Sequence, residues 1–484
     1  MAIPRKRRKK SMKVLLIGLG VFVVGFGLAV GYRNFEGIAE SPNPVNGESW
    51  SVGDEVPPEV FAKAESLSAG KKLDIVPGQT MFFSNVPEMV KEPGIMTRVD
   101  NCLSKSGDVR LLYSHFNLLI DYSGKNIRNV PAQMGVAIVN RTQRVVDVYY
   151  KRLANGISRK LDGTRIYEDD LAPMKPGETI PVYYGTQLGN VVFANYLKQN
   201  PQEQLWSSLK PGEKSWIYDK VGIHGWAIMM GDFVFRDHAT GQLLTLDNIR
   251  AGEAIGIRSF VAPIGEDLDA FYQANDKPNS ILNQAPEEAF HMRGLITDGI
   301  TRKMTLPYNS QKDGLKTLTL NSALDAQAVD PSLPGFEPAK FQNDLTSGTD
   351  EYGSKNSKGQ IQPLPVQNNG SYGAMYEVTL NITGPTAIAI QGSAPHSPGL
   401  AYVDLYNQFI TAGLDSDPEN VRTVRLVDPN YFEYYSHPQK LRPLGYGSVF
   451  YVLPEKGRHT HTLHIGLAPN SYAPFKVVLM PLNK

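Results

Sequence analysis

Short runs of β-branched and aromatic residues, separated by polar turns, recur from residue 73 to the C-terminus. Two of them, 134–139 and 145–150, flank the turn at 140–143. Runs of this length bounded by turn residues are typical of β-strands, and a short turn between two of them predicts an antiparallel hairpin. The pattern predicts a mainly β fold, interrupted by a few short helices such as those expected at 190–199 and 267–275.

The length of the chain and its turn composition predict two antiparallel β-sandwich-like domains. A chain of 484 residues can fill at least two domains of ordinary size. Residues 309–370 are rich in Ser, Gly, Pro, Asn and Asp, and they predict a connector because long structureless loops are rare inside one domain. We therefore expect a first β-rich domain at 72–308, with Thr301–Pro307 among its closing strands. A C-terminal β-sandwich domain is expected at 371–484.

A basic cluster at residues 5–13 precedes nineteen residues without a charge, Val14 to Tyr32. A helix of that length rises about 28 Å, close to the roughly 30 Å hydrocarbon thickness of a bilayer. Because basic residues stay on the cytoplasmic side, residues 1–33 predict a cytoplasmic segment and a single-pass transmembrane signal-anchor, with the bulk of the chain extracytoplasmic. The alternative is a protein secreted after cleavage near Gly31, since Ala29 and Gly31 are small residues that a signal peptidase accepts.

Beyond the anchor, residues 34–71 are polar and rich in Pro, Glu, Ser and Gly, which predicts an extracytoplasmic stalk. The net charge of the whole chain is +1, but residues 1–33 hold eight Lys and Arg and no Asp or Glu, so the remainder carries 41 basic and 48 acidic residues. A mildly acidic exterior part predicts no nucleic-acid partner. The partners expected are the membrane, through residues 14–32, and a cell-wall polymer or another envelope protein.

His459 and His461 are the best candidate metal ligands. Alternate residues of a strand point to one face, so both imidazoles could reach a single ion such as zinc. His464 should face the other way, and a third ligand is expected from His396 or His437. The alternative interpretation is a pair of solvent-facing imidazoles.

Asp415 and Asp417 form a second candidate site, because carboxylates close together suit a hard cation such as calcium. Their spacing is not that of an EF-hand loop, and a solvated loop tip is the alternative. Apart from zinc or calcium, no cofactor is predicted. The sequence has no G-x-S-x-G, H-E-x-x-H or P-loop motif, so no catalytic residue is assigned.

The single cysteine, Cys102, excludes an intramolecular disulfide. Its neighbours at 100–108 are mostly polar, which predicts a thiol near solvent. The stability of the exterior part is therefore expected to come from apolar burial.

The runs at 110–117, 136–140 and 145–150, with 372–376 and 384–387 further along, resemble segments of exported, membrane-anchored β-domain proteins of Gram-positive bacteria. Those proteins are largely uncharacterised. Many of them carry a stalk module named after the N-terminal domain of copper amine oxidases, whose repeat this sequence lacks. The resemblance implies an envelope location and supplies no catalytic residue.

Together these features predict a membrane-tethered extracytoplasmic binding or scaffolding protein of the cell envelope, without catalytic activity. The alternative is a metal-dependent envelope hydrolase that uses His459 and His461.

Overall fold

The computed structural model describes residues 49–67, 73–121, 128–167, 186–282, 292–320, 348–366, 368, 371–392, 408–426, 447–469, 471 and 475–482. The predicted anchor at 14–32 lies outside these ranges. None of the helices within them is both long and apolar enough to cross a bilayer. The prediction of a mainly β fold is confirmed.

The secondary structure consists of many short strands and a few helices. In chain order the elements are β1 (Glu55–Val56), α1 (Pro58–Lys63), β2 (Glu65–Ser66), β3 (Asp74–Ile75), β4 (Thr80–Ser84), β5 (Met89–Val90), β6 (Gly94–Val99), β7 (Val109–Asn117), β8 (Ile120–Asp121), β9 (Arg128–Asn129), β10 (Ala132–Asn140), β11 (Val146–Ile157), α2 (Thr186–Leu197), β12 (Gln204–Leu209), β13 (Lys214–Val221), β14 (Trp226–Asp237), β15 (Ile255–Pro263), α3 (Leu268–Asn275), β16 (Arg293–Ile296), β17 (Thr301–Asn309), β18 (Lys316–Leu320), β19 (Gly348–Lys355), β20 (Ile361–Pro365), β21 (Met375–Thr383), β22 (Thr386–Gly392), β23 (Gln408–Leu414), β24 (Val421–Leu426), β25 (Gly447–Leu453), β26 (Arg458–Ile465) and β27 (Phe475–Pro481). Two short 3-10 helices lie at Pro278–Ser280 and Pro418–Asn420.

The first sandwich packs a nine-stranded sheet against a four-stranded one. The large sheet has the order β12-β11-β14-β7-β4-β16-β19-β20, with β5 also paired to β7, and the small sheet has the order β13-β10-β15-β6. Apolar residues from both sheets, such as Tyr113, Val136 and Ile257, meet in one buried core. Burial of this apolar surface is the main stabilising contribution.

The second sandwich packs two six-stranded sheets, β1-β25-β22-β27-β18-β2 and β24-β23-β26-β21-β17-β3. Strand β17 shows why these residues form a strand. Met304, Leu306 and Tyr308 are buried, whereas the alternate residues Lys303, Thr305 and Pro307 are exposed, which is the alternation of a sheet with one covered face. The buried side chains join the core of this sandwich.

The second sandwich takes strands from both ends of the described chain. Strand β17, which contains the predicted closing strand Thr301–Pro307 of the first domain, instead pairs in parallel with β21. The predicted connector 309–370 contains β18, which pairs with β27, and also β19 and β20, which extend the large sheet of the first sandwich. The polar composition of residues 309–370 predicts a connector, but the segment forms strands because it pairs with strands far away in sequence.

Residues 49–67, predicted as part of a stalk, pack on the second sandwich. Strand β1 pairs with β25, and β2 pairs in parallel with β18. Between them, helix α1 places Val60 and Phe61 on the outer face of the sheet, where Phe61 is only 1% exposed. Apolar side chains within a polar stretch, among them Val56, Val60 and Phe61, therefore anchor this segment together with the pairing of β1 and β2.

The hairpin predicted from 134–139 and 145–150 is wrong. Both runs are strands, but β10 belongs to the small sheet and β11 to the large one. The side chain of Asn140 holds the corner between them, since its Nδ2 donates to the carbonyls of Arg144 and Leu209, each at 2.8 Å. The segment therefore crosses from one sheet to the other.

Candidate metal centre

His459 and His461 lie on the inner face of β26. The register with β21 is unbroken from Ile382 opposite His459 to Tyr376 opposite Ile465, so the alternation of side chains is preserved. Leu463 and Ile465, which have the same parity, are fully buried in the core. His459 and His461 lie on the same face of β26 as these two residues, nearer the start of the strand, where the side chains are half-buried. Their ring centroids are 5.1 Å apart.

The hydrogen bonds of each histidine fix which ring nitrogen carries the proton. Nε2 of His459 lies 3.2 Å from the carbonyl oxygen of Gly384, which can only accept a hydrogen bond. Nδ1 of His461 lies 2.6 Å from a carboxylate oxygen of Asp415, which likewise accepts when ionised. In the neutral rings, Nδ1 of His459 and Nε2 of His461 are therefore the nitrogens with a free lone pair.

These two nitrogens have no hydrogen-bond partner within the described ranges, and both are shielded from solvent. Buried polar atoms are normally satisfied, so two unpartnered nitrogens side by side indicate a missing partner. The partner of a nitrogen lone pair is either a hydrogen-bond donor or an electron-pair acceptor. A metal ion fits this description.

Glu455 is the candidate third ligand. One carboxylate oxygen of Glu455 and one nitrogen of each histidine all lie within 4.8 Å of one another. A tetrahedral zinc site with bonds of about 2.0–2.1 Å needs ligand atoms roughly 3.3 Å apart. Glu455 is exposed and lies in the turn before β26, so packing does not fix its side chain.

Asp415, which the sequence suggests as a calcium ligand, contacts His461 and the backbone of Thr462 in the structure. Its Oδ2 contacts Nδ1 of His461, and its Oδ1 accepts from the backbone N–H of Thr462 at 2.7 Å. Asp415 lies just after the end of β23, where the pairing of β23 with β26 stops. Its carboxylate therefore takes the place of a strand partner for the backbone N–H of Thr462. Asp415 thereby orients His461, as carboxylates commonly do behind a metal-bound imidazole.

Asp417 makes separate contacts. Its carboxylate accepts from the backbone N–H of Glu419 and from Nδ2 of Asn420, each at 3.0 Å, and so caps the 3-10 helix at Pro418–Asn420. Among the described residues, the cluster with metal-ligand spacing is Glu455, His459 and His461, and it includes neither Asp415 nor Asp417.

The remaining histidine predictions have different outcomes. His464 faces away from His459 and His461, and its Nε2 lies 3.1 Å from Oγ of Ser416. Burial lowers the pKa of His464, partly offset by nearby Glu377. His396 and His437, the expected third ligands, lie outside the described residues.

Sequence reasoning missed Glu455. A strand preceded by a tight turn brings a turn residue back over the first side chains of the strand. The spacing of four and six residues from Glu455 to the two histidines was therefore a usable signal.

In comparisons with known proteins, the chain matches no family model and no curated protein. Fold and site describe a mainly β protein with several sheets and a His-His-Glu candidate metal centre. The functional argument accordingly rests on this geometry.

Proposed function

We propose that the chain is a non-catalytic, membrane-tethered binding protein of the cell envelope, whose second sandwich binds a divalent transition-metal ion at Glu455, His459 and His461. The observation that carries the metal assignment is the pair of unpartnered, solvent-shielded imidazole nitrogens. Their free lone pairs are set by Gly384 and Asp415 before any ion binds.

The donor set favours zinc. Two imidazole nitrogens and one carboxylate are typical Zn²⁺ ligands, whereas calcium takes six to eight oxygen ligands. With Asp415 behind His461, the group also has the hydrogen-bonded outer shell that tunes zinc sites.

The burial of the nitrogens favours a structural ion, which normally has four protein ligands, and Glu455, His459 and His461 would supply three of them. A catalytic zinc ion keeps an open position for water and substrate. Here both lone-pair nitrogens are shielded from solvent, at the end of the row that leads into the core. An ion at this position would tie the turn at Glu455 to the start of β26 and stabilise the sandwich.

The envelope location is supported by the basic cluster and apolar run at 1–33 and by the resemblance to exported β-domain proteins. Membrane fractionation of cells that produce the full-length chain tests it. We expect the protein to sediment with membranes at full length. Recovery of a soluble form that starts near Tyr32 would instead support secretion after cleavage near Gly31.

Zinc stoichiometry tests the metal site. Full-length protein purified in detergent should retain about one zinc ion per chain after dialysis, measured by mass spectrometry of the metal. His459→Ala and His461→Ala should each abolish retention, and chelation should lower the thermal midpoint of the wild-type protein alone.

His238→Ala is the matched control. His238 also faces a carboxylate, with its Nδ1 2.9 Å from Asp147, but it is 57% exposed and lies outside the cluster. This variant should retain zinc. Wild-type protein without bound zinc, or zinc retained by both His459→Ala and His461→Ala, would refute the site.

The donor set also supports a second candidate function, because two histidines and a glutamate hold the zinc ion of several hydrolases. For this alternative, the zinc-loaded protein should release soluble fragments from isolated cell walls, and His461→Ala should stop the release. Zinc binding without release would favour the structural role.

A further inference from the structure

A polar cavity of about 370 Å³ lies where the two sandwiches meet, within the usual size range of small-molecule sites. Strands β7, β11 and β14 of the first sandwich line one side, and β17, β21 and β26 of the second line the other. This cavity is separate from the metal centre, since His464 lines it from the face of β26 opposite to His459 and His461.

Six of the charged side chains that line the cavity form three ion pairs. The pairs are Lys151 with Asp108 at 2.5 Å, Arg110 with Asp232 at 2.8 Å, and Lys303 with Glu377 at 2.8 Å. Ion-paired side chains offer both hydrogen-bond donors and acceptors to a ligand. Because their charges are already balanced within each pair, a ligand needs no charge of its own to bind them.

Arg152 is the remaining charge. Its Nε donates to the carbonyl oxygen of Gln199 at 3.1 Å, and its guanidinium lies 5.1 Å from the centre of the Tyr196 ring. No carboxylate of the described residues forms a salt bridge with it. The lining therefore holds four cations and three carboxylates, with His464 kept neutral near pH 7 because burial lowers its pKa.

A β-bulge aims Arg152 into the cavity. The pairing of β11 with β14 skips Lys151, so that Tyr150 lies opposite Phe233 and Arg152 opposite Asp232. Neighbouring residues of a regular strand point to opposite faces, but the extra residue lets both Lys151 and Arg152 line one cavity. Bulges are common next to binding sites for this reason.

Neutral polar groups complete the lining. Oε1 of Gln79 is shielded from solvent and lacks a hydrogen-bond partner in the described part of the chain, so it is free to accept from a ligand. Thr80, Thr301 and Ser416 add hydroxyl groups. Val76 and Ile300 add a small apolar surface.

We propose that this cavity binds a sugar acid, with its carboxylate against Arg152 and its hydroxyl groups on Gln79 and the ion-paired side chains. Arg152 forms no salt bridge among the described residues, although its charge acts on Asp232, which already pairs with Arg110. Its guanidinium therefore matches a single additional negative charge, and it can hold a carboxylate through two parallel hydrogen bonds. The donors and acceptors of these ion pairs match a ring of hydroxyl groups. The proposal does not depend on a metal at Glu455, His459 and His461.

Calorimetric titration of the full-length protein with D-glucuronate tests the proposal, with D-glucose as the neutral analogue and glycerol 3-phosphate as the dianionic one. We expect glucuronate to bind at least tenfold more tightly than either. Arg152→Gln should weaken glucuronate binding at least tenfold and leave the weak binding of glucose unchanged. The substitution removes the positive charge that faces the carboxylate but keeps a polar side chain in the cavity.

Arg165→Gln is the control, since Arg165 is exposed and lies outside the cavity. It should bind glucuronate as the wild-type protein does. If Arg152→Gln does not fold, Gln79→Met provides the second test and should weaken binding severalfold. The proposal fails if the wild-type protein shows no binding at about 20 mM glucuronate, a concentration that would reveal even a millimolar dissociation constant. It also fails if glucose or glycerol 3-phosphate binds as tightly as glucuronate, or if the folded cavity variants keep wild-type affinity.

Discussion

The carboxylate of Asp415 lies 2.6 Å from Nδ1 of His461, although 45 residues separate them in sequence. Asp415 adopts a positive φ of +58°, and Ser416 after it has +56°. Non-glycine residues reach this left-handed region at a cost of about 1–2 kcal/mol, and Asp and Asn tolerate it best. The bonds to His461 and Thr462 offset that cost and place the carboxylate behind the imidazole.

Replacing Asp415 should weaken the metal site without removing a ligand. Asp415→Asn keeps the tolerance for positive φ but loses the charge that holds the proton on Nδ1 of His461. We expect zinc affinity to fall about 10–100-fold, the usual effect of losing such a partner. Competition with a fluorescent chelator measures it, and Asp147→Asn, which makes the same change beside His238, should have no effect.

His115 predicts that stability falls in mild acid. It is fully buried in the first sandwich, with Nδ1 2.6 Å from the carbonyl of Pro87 and Nε2 2.8 Å from Oγ of Ser84. Burial lowers its pKa to about 3, and the charge of nearby Arg293 adds to this shift.

A lowered histidine pKa means that the unfolded chain takes up the proton first. The contribution of neutral His115 to stability is complete above the unfolded-state pKa of about 6.5, and it is lost as the pH falls towards 3. The free energy of unfolding should drop by up to about 1.4 kcal/mol per pH unit in this window through His115 alone. Urea unfolding of wild-type protein and His115→Gln at pH 7.0, 6.0 and 5.0 (roughly spanning the titration of a free histidine) measures the difference. An equally steep decline in the variant would contradict this assignment.

Cys102 is buried in the core of the first sandwich, so the expectation of a thiol near solvent is wrong. Its backbone N–H donates to the carbonyl of Ile255 at 2.8 Å, which brings the side chain inside despite its polar neighbours. Burial raises the pKa of the thiol, and nearby Arg258 offsets this only in part. Native protein should therefore resist labelling by a thiol reagent and react fully in urea. Rapid labelling without denaturant would show that the thiol is accessible.

Phe61 provides a stability test for the segment that was predicted as a stalk. It is 1% exposed on the outer face of the second sandwich, against Ala389 and Val449. Phe61→Ala should cost about 3–5 kcal/mol in the free energy of unfolding, as expected for a buried aromatic residue. Glu59→Ala, at an exposed position of the same helix, is the control and should change it by less than about 0.5 kcal/mol. Equal effects of both variants would mean that α1 is not packed.

The sequence revealed strands well and their partners poorly. The alternation around Val146 identifies β11, yet its neighbours in the sheet are β12 and β14 rather than β10, because Asn140 turns the chain into the other sheet. Pairing is decided by which buried faces fit together, and local composition does not encode that.

The candidate site shows the same division. The alternation of a strand was enough to place His459 and His461 on one face and His464 on the other. It could not reveal that Asp415 contacts His461 or that Glu455 returns over the strand, because both depend on where neighbouring segments end. The cavity around Arg152 gave no sequence signal, since its lining comes from strands of both sandwiches and from a bulge.

The exchange of strands also determines the order in which the chain can complete its folding. Glu55 pairs with Ser448, so β1 must wait for almost the whole chain before its hydrogen-bonding partner exists. The large sheet of the first sandwich, in contrast, has all its strands once Pro365 has emerged. During synthesis the first sandwich can therefore mature while residues 49–67 still lack their partners, and the second sandwich closes last by joining the two ends of the described chain.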